Sequence, residues 1–161
     1  MTQAPEQNEA KKTPQKSARR RAREFAVQGL YQWQLTGDNV ANIERFLRDN
    51  NTSFGRADEA LFRELFYNAV RDVEILKAIY GPHLDREEAE VSPVERAILL
   101  VGTVELTQRL DTPYAVVINE AIEIAKTFGG TDGHRFVNGV LDKLAIAIRP
   151  EEVEAGRNKR R

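Results

Sequence analysis

Five cations crowd the start of one stretch of chain: Lys16, Arg19, Arg20, Arg21 and Arg23, within KSARRRAREFAVQGLYQW at residues 16–33. A guanidinium presents a planar fork of N–H donors that matches phosphate oxygens. Arginines anchored on a helix can therefore hold fixed positions along a polyphosphate, whereas a loose basic tail only attracts one. Directly behind the cluster, Ala22, Phe25, Ala26, Gly29, Leu30 and Trp33 recur with the spacing of one helix face. Arg19 and Arg23 are i, i+4 neighbours, and Arg20 and Arg21 point about 100° and 200° further round, so the cluster fans over much of the circumference. Cations at a helix N-terminus oppose the macrodipole, a small cost that points to use in binding. The expected chemistry is a nucleic-acid contact; the competing reading is a merely solvated basic helix start.

A second candidate is Phe128-Gly129-Gly130-Thr131-Asp132-Gly133-His134-Arg135-Phe136. Two aromatics flank a glycine-rich link, and the following helix N-terminus would offer free N–H groups to an anion. Exposed aromatics stack unpaired bases, although two core phenylalanines around an ordinary turn fit the same residues. Tyr31 lies off the core series of the first helix and suits a protein contact, with a tyrosine at the core edge as the alternative.

Catalytic signals are thin. His83 and His134 are isolated, without metal-ligand spacing. Glu87, Glu88 and Glu90 sit beside Asp85 and Arg86 in a charge run that reads as a solvated face. There is no GxSxG, no GxxxxGK[ST] phosphate loop and no cysteine, which excludes thiol catalysis, disulfides and thiolate metal sites. No catalysis, metal or cofactor is expected.

The formal net charge of −1 conceals an asymmetry. Residues 1–23 carry seven basic and two acidic side chains, the last five residues carry four basic ones, and residues 24–156 carry 13 basic against 23 acidic. A body at −10 repels a bulk polyanion, so nucleic acid must be met at a limited surface. That favours a short defined strand over coating of a duplex. The chain has no apolar run long enough to span a membrane and no apolar signal core at its start, so a cytoplasmic protein is expected.

The elements that must position these residues are helices. Residues 1–15, with two prolines and no large apolar side chain after Met1, are expected to form a disordered basic extension. Ser17 caps a helix to about Leu35, stopped at Gly37-Asp38, and a short helix follows over about 40–49. A long helix over roughly 57–80 carries Leu61, Phe62, Leu65, Phe66, Ala69, Val73, Leu76 and Tyr80; residues 83–91 are ambiguous. Ser92-Pro93-Val94-Glu95 is a capping box with proline at the first helical position. Thr112-Pro113 repeats the start signal, and the β-branched run at 115–118 continues into a 3.6-residue period, so it is read as helix. Thr131 can cap a last helix to Ile148, stopped by Pro150. The expectation is all-α: one domain over 16–150, about six or seven helices in two packed three-helix-like halves, with a basic tail over 151–161.

Three stretches carry a resemblance: RRRAREFAVQGLYQWQL at 19–35, SPVERAILLVGTVEL at 92–106, and PYAVVINEAIEIAKTFGGTDGHRFVNGVLDKLA at 113–145. With the helices between them, the chain resembles the NusB family of bacterial transcription antitermination factors over about residues 17–150. The resemblance implies a non-catalytic adaptor that pairs with the ribosomal protein NusE. The pair binds single-stranded boxA RNA and helps RNA polymerase read through terminators, notably in ribosomal RNA operons. It implies RNA contacts at Lys16, Arg19, Arg20, Arg21, Arg23, Phe128, Asp132 and Phe136, and a NusE-type interface at Tyr31 and Glu95. The same domain occurs fused to ribosomal RNA cytosine methyltransferases; no such domain follows Arg161, which favours the stand-alone factor. A detached targeting domain of a methyltransferase system and a structural homodimer are the alternatives. The chain departs from the family in a longer basic extension before Lys16 and in Gly129-Gly130, which loosens the loop after Phe128.

Overall fold

The computed structural model describes residues 16–128 and 132–160. The extension at 1–15, the Gly129-Gly130 link, the Thr131 cap and Arg161 lie outside them. Among the described residues all regular structure is helical: α1 (Ala18–Thr36), α2 (Val40–Asn50), α3 (Glu59–Arg71), α4 (Val73–Tyr80), α5 (Pro93–Gln108), α6 (Tyr114–Phe128), α7 (Gly133–Ile148) and α8 (Pro150–Arg160), with short 3-10 turns at Thr52–Arg56, Gly81–His83 and Glu88–Glu90. The count is eight α-helices rather than six or seven, for two reasons.

The first is a break in the expected helix over 57–80. Asp72 leaves helical geometry (φ −107°, ψ 23°), its N–H closing on the Asn68 carbonyl while its carboxylate takes Arg71 and Gln108. The apolar period runs through the break but the packing partners change: α3 packs mainly against α1, whereas α4 turns to α5. The second is the tail. The chain leaves α7 at Arg149, and Pro150, expected as a stop, is instead the first residue of α8, a position where its missing N–H costs nothing. Val153 buries against the core and carries this helix with it.

Helices α1–α3 pack together, as do α5–α7, and α1 against α5 joins the halves. Ser17 caps α1 through its Oγ, which accepts from the Arg20 N–H at 3.0 Å. Gly37 ends it in the left-handed region (φ 70°), donating its N–H to the Trp33 carbonyl at 2.8 Å, a geometry that glycine adopts without strain. An aromatic row, Phe25, Phe54, Phe62 and Phe66, links α1, the first 3-10 turn and α3, with successive centroids 5.0, 5.2 and 5.5 Å apart. Each such pair adds about 0.5–1.5 kcal/mol beyond burial. Glu44 pins α2 to α3 by accepting from Arg63 and from the Tyr67 hydroxyl at 2.6 Å.

Helix α5 is the centre: every residue from Ala97 to Leu106 is buried, the pattern of a helix enclosed on all sides. Its C-terminal carbonyls lack intrahelical donors. Arg149 supplies them, donating to the carbonyls of Glu105, Leu106, Arg109 and Thr112 at 2.6–3.1 Å while its side chain stays buried. Its partner Glu152 accepts from the Tyr114 N–H at the start of α6. The Glu105 and Arg109 carbonyls also accept from the backbone N–H groups of Arg109 and Thr112, so replacing Arg149 by alanine removes the side-chain donor of the Leu106 and Thr112 carbonyls in particular and is expected to cost about 2–4 kcal/mol of unfolding free energy in urea titration; an unchanged midpoint would show that water satisfies them equally well.

Candidate nucleic-acid interface

The first two turns of α1 stand at the surface with their base against α5 and α6, and the cations of the cluster have separate fates. Arg23 is withdrawn. Its Nε and Nη2 donate to both carboxylate oxygens of Glu105 on α5 at 2.7 and 2.9 Å, with side chains only 5% and 2% exposed. Sequence spacing put Arg23 on the phosphate surface; the structure corrects this, because the position falls between Ala22 and Phe25 on the buried face of the helix. Burial opposes charge on Arg23 more than any single favourable contact supports it, but the hydrogen bonds and charge of Glu105 together with the charge of Glu120 outweigh it and keep the guanidinium protonated.

Arg20 is intermediate. Its Nε and Nη2 grip Glu120 of α6 side-on at 3.0 and 2.7 Å, yet a third of the side chain is open to solvent. These hydrogen bonds keep the Glu120 carboxyl below the usual glutamate range against the opposing effect of burial. Glu120 also lies 3.8 Å from Arg23 Nη1. Lys16, half-exposed, meets Glu24 at 3.0 Å. Arg19, exposed, and Arg21, half-exposed, form no ion pair with any described residue. The cost of basic residues at a helix start is thus offset by carboxylates from three elements, and Arg19 and Arg21 are left uncompensated.

Eleven residues carry α1 from Arg20 to Tyr31, about 17 Å and close to three full turns, which returns Tyr31 to nearly the same face. There α1 meets α6 again: Tyr31 and Phe128 line one open groove with Leu35, Phe46, Leu47 and Val94. Tyr31, Leu35, Phe46 and Phe128 are each more than a third exposed, a contiguous apolar surface of the kind that marks an interaction site. Leu35 and Phe46 carried no sequence signal as site residues; only the packing of α2 beside α1 brings them there.

The loop residues divide. Phe128 is exposed, but it faces the groove. Phe136, expected to stack or wall off bases, is 9% exposed and capped by Arg86, whose guanidinium carbon stands 3.9 Å above the ring centroid. Its ring is committed to the core and to that cation, so the stacking role is corrected. Asp132 is exposed at the start of α7, with no side-chain capping bond. Glu95 gives half of the expected capping box, its N–H donating to Ser92 Oγ at 3.2 Å. Its carboxylate instead turns to the start of α7, where Oε2 lies 3.1 Å from the place a Cβ on Gly133 would occupy. A negative charge at that helix N-terminus is favourable, and any side chain at Gly133 would displace it. Of the expected acidic run, Glu88 accepts from Tyr80 and Arg96, both at 2.7 Å. Among the described residues no group of His, Asp and Glu is placed to hold a metal, and no helix is long and apolar enough to cross a membrane.

The NusB family model matches residues 20–146. Transcription antitermination protein NusB of Chromobacterium violaceum is 60% identical over 147 residues, covering 91% of this chain and 98% of that relative. Among solved structures, NusB of T. maritima superposes with a TM-score of 0.74 at 27% identity, covering 89% of this chain and 99% of that one. A crystal structure of antitermination factors NusB and NusE in complex with double-stranded RNA gives a TM-score of 0.68 at 26% identity, covering 81% of this chain and 97% of the matched one.

If Arg23 is a core residue, Arg23→Ala leaves Glu105 buried and unpaired and is expected to lower stability by about 3–5 kcal/mol in denaturant unfolding. Arg19→Ala and Arg21→Ala should leave the unfolding midpoint in place; equal midpoints for all three variants would contradict the division.

Proposed function

This chain belongs to the NusB family, and we propose that it acts as a non-catalytic transcription antitermination factor, binding boxA-type RNA at the start of α1 and the ribosomal protein NusE at the Tyr31–Phe128 groove. The observation that carries the reading is the division along α1. One end presents Arg19 and Arg21 without ion-pair partners among the described residues, and about three turns further along the same helix lies an exposed apolar groove. Charge recruits a polyanion and an apolar groove recruits a protein, so one rigid helix can place the two side by side.

On this reading Arg19 and Arg21 bind phosphates, with Lys16 and Arg20 beside them. Asp132, exposed at the start of α7, lies toward the bases, while Phe128 belongs to the partner groove. Phosphate contacts carry no sequence information, so preference for boxA must come from base edges read jointly with the partner. The NusB–NusE pair then joins the RNA polymerase antitermination complex in the cytoplasm. Support comes from the 60% identity to an antitermination protein and from the likeness to a NusB–NusE assembly with RNA.

A second reading, that duplex RNA is the substrate, is favoured by the double-stranded RNA in that similar complex. The acidic body speaks for the single strand, and a titration with boxA-type RNA as single strand and as duplex separates the two. In the single-strand titration, Arg19→Ala with Arg21→Ala is expected to flatten the log–log salt dependence by about 1.4, at roughly 0.7 per lost phosphate contact; an unaltered slope would remove both from the interface. Tyr31→Ala with Glu95→Ala is expected to abolish capture of NusE while RNA-only binding persists. Undiminished capture would move the partner elsewhere and leave the groove to a second copy of this chain, which sedimentation would detect.

A further inference from the structure

Arg20 uses only part of its donor set. A guanidinium has five N–H groups. The side-on grip on Glu120 employs Nε and one N–H of Nη2, which leaves the edge formed by Nη1 and the second N–H of Nη2. No described residue accepts from Nη1, and the side chain is one-third exposed. Glu120 beneath it is itself held, 17% exposed and 3.8 Å from Arg23 Nη1, while Arg23 is locked on Glu105. Charges therefore alternate from the centre of the fold outward: Glu105, Arg23, Glu120, Arg20.

We propose that Glu120 is a positioning residue for RNA binding, fixing the Arg20 guanidinium so that its outer N–H edge forms a ready two-pronged seat for a phosphate of the RNA. This rests on the reading of the α1 start as an RNA site and adds a role for an acidic residue inside it. The carboxylate removes the rotational freedom of a long side chain before RNA arrives, so less is lost on binding. Two oxygens of one phosphodiester match the free edge as two carboxylate oxygens match the inner one. Glu120 is not a competitor that must be displaced, because the two anions address different edges of the same planar group.

The sign of one substitution tests this. By net charge alone, removing a carboxylate from the site strengthens binding to a polyanion. Preorganisation demands the reverse. With labelled single-stranded boxA-type RNA at fixed salt, Glu120→Gln is expected to weaken binding about 5- to 10-fold, and Arg20→Lys, which keeps charge but loses the fork, by a similar factor. The double variant should be no weaker than either alone, since both remove one seat. Glu123→Gln removes the same charge one turn along α6 without touching Arg20's hydrogen bonds; it should bind as tightly as the parent or more so. Equal or tighter binding by Glu120→Gln overturns the proposal, as do losses that add in the double variant. Thermal melts of each variant monitor folding, and Arg20→Lys, at a side chain one-third exposed, supplies the answer if Glu120→Gln is unstable. Undiminished binding by Glu120→Gln alongside a flattened slope for Arg19→Ala with Arg21→Ala defeats the seat alone. An unaltered slope for that pair defeats the RNA site itself.

Discussion

Glu105 is the point on which this structure turns, because a carboxylate buried in an otherwise enclosed helix has to be neutralised where it stands. Its two oxygens take the side-on fork of Arg23 from α1, and its backbone carbonyl is one of those that Arg149 caps at the end of α5. One residue position thus ties the first helix, the central helix and the junction of α7 with α8. Breaking the pair leaves a charge in the core, so the arrangement enforces the placement of α1 more strictly than its apolar stripe alone could do.

That constraint shapes the surface chemistry. Withdrawing Arg23 removes one cation from the cluster, and Glu120 holds a second in place, so the positive surface is small and patterned rather than diffuse. A compact cationic surface on an acidic body suits a limited stretch of strand, since the rest of the molecule repels it. The same helix carries Tyr31 and Leu35 into the groove opposite Phe128. Charge and apolar surface lie on one rigid element, and their separation is set by helix geometry rather than by a linker.

Local punctuation was legible wherever a single residue decides it. Ser17 caps α1, Gly37 ends it, and Ser92 with Pro93 opens α5, as their types require. The rest escaped where two chemistries compete for one signal. Proline at 150 reads equally as a stop or as a first helical residue, and only the burial of Val153 selects the second. The apolar period through Asp72 is continuous, so nothing local announces that its two halves face different neighbours. Phe54, in a short turn without periodicity, became a core residue because Phe25 and Phe62 close around it.

Residue types and spacing alone set that the fold is helical, where most helices begin and end, that cations gather at the start of α1, and which family the chain resembles. These follow from residue type and spacing, which act over a few residues. Tertiary structure alone decided which of those cations are free. Arg19, Arg20, Arg21 and Arg23 are chemically identical, and what separates them is a carboxylate 82 or 100 positions away in the chain. It also decided that Phe136 lies under Arg86 while Phe128 opens into a groove. Burial and ion pairing are properties of what stands opposite a side chain, and only the packed molecule says what that is.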